Sequence, residues 1–163
     1  AQALYNFTGT TRSHVLFDTA EDGWSTEKAL LMANVVGNVS MLCVTRDGDV
    51  FGVFITKAGC FRQDGGWCED AGHFAFSAAV NGTVRPRRWS PKQYRRRAAR
   101  LTRNGAFLFE TVFAEVQALP HLARSFVTPS GFAAYAGLAP AQVLTAPDVP
   151  WFETTRVVFL HFA

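Results

Sequence analysis

Cysteine is scarce in this 163-residue chain: Cys43, Cys60 and Cys68 are all it has, and no two of them form a CxxC pair. An odd, unpaired set gives a zinc finger or a disulfide framework nothing to build on. The expectation is therefore a chain kept reduced, in the cytoplasm or nucleus. Charge is thin as well, at 18% of residues, but the hydrophobic share is 48%, which excludes a disordered chain. No run approaches the ~20 apolar residues of a membrane-spanning helix, and the first residues show no basic-then-apolar leader, so no membrane span is expected. Nucleotide chemistry has no support, because neither GxGxxG nor a Walker loop occurs. The GxSxG elbow of a hydrolase is also missing. Cys60, Cys68 and His73 match no zinc-ligand spacing, so the reading contains no catalytic residue, metal or cofactor. His73 and His161 lie within apolar strands and are read as structural histidines with their hydrogen bonds filled. Cys60 and Cys68, in a glycine-rich loop, are the candidates for a redox-active thiol.

Acid is missing from one stretch altogether. Between Arg85 and Arg103 stand nine basic residues and no Asp or Glu, while the rest of the chain carries a net charge of −6. The formal +3 of the whole is thus a local positive segment on an acidic body, the arrangement that steers acidic partners. Arg85, Arg87, Arg88, Trp89, Lys92, Tyr94, Arg95, Arg96, Arg97, Arg100 and Arg103 form the candidate binding surface. Arginines interleaved with Trp89 and Tyr94 suit phosphates and stacked bases, so nucleic acid or another polyanion stands beside an acidic protein as partner. A solvated arginine-rich edge without a partner is the plain alternative.

What is present in quantity is β-forming sequence, including 15 Phe. Two runs rich in β-branched and aromatic residues, within Val39 to Thr56, flank Asp47-Gly48, the dipeptide of a tight hairpin turn. Val39, Met41 and Cys43 point one way and Leu42 and Val44 the other; Phe51, Val53 and Ile55 oppose Val50 and Phe54. Both faces are apolar, so the hairpin requires cover above and below. Gly52 marks a bulge or a close approach of another group. Further strands are expected at 14–18, 73–78, 83–89, 106–113 and 154–162, with Pro86 placing the third of these at an edge. Ser25 is the expected N-cap of a helix over 26–33, and Gly131 to Ala136 has room for a short one. Residues 1–12, polar and without periodicity, read as a lead-in arm; 13–163 reads as one domain. The fold class is mainly β, a sandwich of two antiparallel sheets with a few short peripheral helices.

The order of these motifs resembles a TLDc domain, the domain shared by oxidation-resistance proteins, a nuclear receptor coactivator and certain TBC-domain proteins. Leu16-Phe17-Asp18 followed by Asp22-Gly23-Trp24-Ser25 is similar to its opening strand, turn and helix start. Asp47-Gly48-Asp49-Val50-Phe51-Gly52 is similar to its hairpin, Phe74-Ala75-Phe76-Ser77 and Pro86-Arg87-Arg88-Trp89 to a later strand pair, and Phe152 to Phe162 to its closing strand. The family's Phe-Gly-x-Gly stretch has no counterpart here. The resemblance implies a two-sheet β-sandwich and a non-enzymatic, protein-binding role. It also implies protection against oxidative stress or, as in some members, binding to the soluble sector of the vacuolar proton ATPase.

Overall fold

The structure, a computed structural model, describes residues 2–92, 97–102, 107–118 and 124–163. Its chain order begins with a helix, α1 (Gln2–Thr8), then β1 (Ser13–Asp18), the short α2 (Thr19–Asp22) and α3 (Thr26–Val35). The central hairpin follows as β2 (Val39–Thr45) and β3 (Val50–Ile55), then β4 (Cys68–Glu69), β5 (Phe74–Val80), β6 (Thr83–Trp89) and β7 (Arg97–Thr102). The second half continues with β8 (Phe107–Thr111), β9 (Ala114–Ala118), β10 (Arg124–Val127), α4 (Pro129–Phe132) and the long β11 (Trp151–Phe162). The class is mainly β, as the alternating apolar pattern requires. All the described strands lie on one hydrogen-bonded path, β4-β7-β8-β9-β10-β11-β2-β3-β5-β6, with β1 added beside β11.

Two sheets were expected; the structure joins both halves through β11. Its first residues pair with β10, Glu153 opposite Arg124, and its later ones with β2, Val157 opposite Cys43. A strand of twelve residues is long enough to serve two ladders, with a register shift between Thr154 and Arg156 where it leaves one for the other. The halves then share a core. Phe51 of β3 packs its ring 6.0 Å from Phe113, and Phe159 of β11 lies 6.1 Å from Phe109 of β8.

The hairpin has the expected register, Val39 opposite Ile55 and Val44 opposite Val50. Gly48 takes the positive φ of 81° that the turn demands. At Gly52 a methyl group would collide with the Met41 carbonyl, so the glycine allows close backbone approach within the ladder and not a bulge. Met41, Cys43, Phe51 and Val53 face the shared core under α3, whereas Leu42 and Phe54 face a second cluster with Phe74, Phe76 and Phe162. That second face is covered by α1. Leu4 is buried there, and the Tyr5 ring meets Phe162 at 5.7 Å. The lead-in arm is thus corrected to a docked helix: three apolar side chains, Leu4, Tyr5 and Phe7, are enough to seal the lower layer.

Ser25 caps α3, accepting from the Lys28 amide at 3.3 Å, and Ala29, Leu30 and Ala33 are the face it buries. Leu31 and Val35 point to solvent, so the buried stripe is narrow. Two carboxylates hold loops from within. Asp18 caps α2 through the Ala20 amide and is bidentate to Arg156, whose guanidinium holds its pKa below the ordinary carboxylate value. Asp49, buried after the central turn, accepts from the Asn81 amide at 2.9 Å and from the amide and hydroxyl of Thr145 at 3.0 and 2.6 Å. Asp49 therefore ties three turns of the chain together at one carboxylate.

Candidate functional site

Cys60 and Cys68 form a disulfide. This overturns the expectation of unpaired thiols and, with it, the argument for a reduced compartment that rested on them. Sequence spacing missed it because no cysteine motif marks the pair; Cys68 is placed by β4, where it lies opposite Ala99 of β7. Both sulfurs lie in buried residues, and Cys43, the remaining thiol, is buried with its pKa pushed up to about 12 by loss of solvent. A thiol held so firmly protonated is a packing group and not a nucleophile.

His73 is filled as expected: Nδ1 donates to the Asp70 carbonyl at 2.6 Å, and Nε2 meets the Tyr135 hydroxyl at 3.1 Å. Burial lowers its pKa, and burial likewise raises that of Tyr135. His161 is not filled, because its Nδ1 is sealed from solvent without a hydrogen-bond partner. Among the described residues no three His, Cys, Asp or Glu side chains gather as a metal-holding group. No helix among the described residues is long and apolar enough to cross a membrane.

The basic segment divides when it is placed on the fold. β6 is the last strand of the path, hydrogen-bonded on one side only, and six of its seven residues are exposed. Opposite β5 its register breaks between Ser77 and Ala79, so that Arg85 and Pro86 bulge outward. A proline, a bulge and cations on one edge are the features that keep an open strand from pairing indiscriminately. Arg85 and Arg87 project beside a depression of about 80 Å³ whose other walls are Val80, Ala141 and Gln142. Neither arginine has an ion-pair partner among the described residues. Arg88 is anchored instead: it donates to the Phe7 carbonyl at 2.9 Å and lies 4.0 Å above the Phe74 ring, fastening α1 to the strand.

Three of the candidate residues have other positions than a binding surface needs. Trp89 is buried in the shared core, because the last residue of β6 turns inward opposite Ala75. Arg100 pairs with Glu110 and covers the Trp67 ring at 5.1 Å, which makes it architectural. Arg97 lies at the mouth of a cavity of about 320 Å³ lined also by Trp67, Thr111, Thr128 and Ser130, away from β6. Lys92 is exposed, and its amide bonds the Ala134 carbonyl. Tyr94, Arg95, Arg96 and Arg103 lie outside the described residues. The residues that sequence reasoning missed are Val80, Ala141 and Gln142, which reach the arginines only through the fold and carried no signal of their own.

No family model matches the chain, and no curated protein matches it.

Proposed function

We propose that this chain is a non-enzymatic, TLDc-like interaction domain that docks an acidic protein segment along β6. The observation that carries the reading is the pair Arg85 and Arg87: exposed on a terminal strand, without acidic neighbours, and flanking a small hollow. Two unpaired guanidiniums on an open edge supply both charge and bidentate donors for carboxylates. The unpaired backbone of the same strand is suited to an extended peptide. Nucleic acid is the second reading. It is less favoured because Trp89, the aromatic needed for stacking next to these arginines, is buried.

The TLDc resemblance supports the soluble sector of the vacuolar proton ATPase as the first partner to test, with oxidative-stress protection as the wider role. A cytoplasmic or nuclear residence then depends on a disulfide shielded from reductant by burial of Cys60 and Cys68. The test is binding of purified chain to that sector, to an acidic peptide and to single-stranded DNA across a salt series. The expected result is binding to acidic protein that drops at least tenfold in the Arg85→Ala/Arg87→Ala double variant. Preference for DNA, with affinity falling steeply against log salt, would replace the first reading with the second. Binding indifferent to the double variant would end both.

A further inference from the structure

β1 and β11 meet in antiparallel register with His14 directly opposite His161. The two rings pack with centroids 4.7 Å apart and planes at 66°. Among the described residues neither ring is engaged in a hydrogen bond with the protein, and Nδ1 of His161 is both buried and unpartnered. This differs from His73, whose two nitrogens are both occupied. A sealed nitrogen without a partner is costly to keep, whereas the exposed His14 ring is open to solvent.

Two imidazoles facing each other across a strand pair can also share a metal ion through the nitrogens that stay open to solvent. With metal–nitrogen bonds of about 2.0–2.1 Å and roughly 1.1 Å from nitrogen to ring centre, two imidazoles on one ion stand ~4.5 Å apart at a right angle and ~5.2 Å apart at the tetrahedral angle. The observed 4.7 Å is within the range at which one ion can bridge the two rings.

We propose that His14 and His161 form a two-imidazole site for a late first-row divalent ion, Cu²⁺ before Ni²⁺ and both before Zn²⁺, with water completing the coordination. The order follows from the general rise of nitrogen-site affinity toward copper. Cys43 is buried and Cys60 is bonded to Cys68, so no exposed thiol competes. The site also has a structural consequence. Among the described strands β1 pairs with β11, off the main path, and an ion held across the pair would fasten the segment carrying α1 to the rest of the fold.

The test uses untagged protein in a non-coordinating buffer at pH 7.5, titrated in turn with Cu²⁺, Ni²⁺ and Zn²⁺ against glycine as competitor. Calorimetry should show one ion per chain in the affinity order Cu²⁺, Ni²⁺, Zn²⁺. Pulsed electron paramagnetic resonance of the copper form should show two equatorial imidazoles. His14→Gln, a change at an exposed side chain, should lower copper affinity at least tenfold, leave one imidazole, and abolish the rise in Tm that copper gives the unaltered protein. His121→Gln serves as the control and should leave the affinity unchanged. A single imidazole in the unaltered protein, or copper affinity unaffected by His14→Gln, would overturn the site. Zinc bound as tightly as copper would overturn the metal assignment.

Discussion

Phe51→Ala tests the claim that the central hairpin is the contact between the two halves of the β structure. Phe51 is buried, and its ring lies 6.0 Å from Phe113 at 50° and 5.5 Å from Phe152 at 76°, so it touches the β8–β9 connection and the start of β11 at once. Truncation removes the transfer free energy of a benzyl group and leaves a cavity walled by two further rings, one from the β8–β9 connection and one from β11. Those walls cannot close on each other without shifting a ladder, so the expected loss is at the upper part of the usual range, about 3–5 kcal/mol. Each ring pair adds roughly 0.5–1.5 kcal/mol beyond area, which places the estimate nearer the higher figure. For a chain of this size that corresponds to a fall in Tm of roughly 6–20 °C. The assay is urea unfolding followed by tryptophan fluorescence, with Phe51→Leu as the volume-conserving control expected to lose under ~1.5 kcal/mol. If Phe51→Ala cost under ~1.5 kcal/mol with an unchanged denaturant slope, the hairpin would not be the joint described here.

Asp49→Ala leaves the Asn81 amide and both Thr145 donors without their acceptor, and should cost about 2–4 kcal/mol by the same urea assay; a loss within ~0.5 kcal/mol would remove Asp49 as the tie between turns. Reducing the Cys60–Cys68 bridge, which closes a short loop, should cost about 2–3 kcal/mol; alkylation of both thiols in the native, unreduced protein would show that the bridge does not form. His73 is held below its ordinary pKa chiefly by burial, and His161 by burial and then by His14. The unfolded chain therefore takes up protons near pH 6.5 while the native chain resists until lower pH. Stability is full above about pH 6.5 and falls as pH drops below it, by up to ~1.4 kcal/mol per pH unit for each group. Tm measured from pH 7.5 to 5.5 should decline, and less so in His73→Gln; a flat profile would contradict the buried, neutral histidine.

Local chemistry determined a good part of this protein before any long-range contact was considered. Asp47-Gly48 and Asn81-Gly82 can turn left-handed with little strain, so the hairpins at 39–55 and 74–89 were legible from the sequence. Pro86, with no amide hydrogen to donate, marked β6 as an edge, and Ser25 marked the start of α3. The apolar character of both faces of Val39 to Thr56 required cover above and below, although it could not name the cover. Tertiary structure alone decided that α1 supplies one lid, because three apolar residues among polar neighbours have no periodicity to read. It alone made a strand of Arg97–Thr102, where Ala98, Ala99 and Leu101 are weak β formers held by pairing with β4 and β8. The same holds for side-chain fate within the basic segment. Charge density showed where arginine was concentrated, but only packing separated the exposed Arg85 and Arg87 from Arg88 on Phe74, Arg100 on Glu110 and the inward Trp89. Pairings such as Cys60 with Cys68 and His14 with His161 depend on how loops and strands close in three dimensions, and residue spacing along the chain carries no information about that distance.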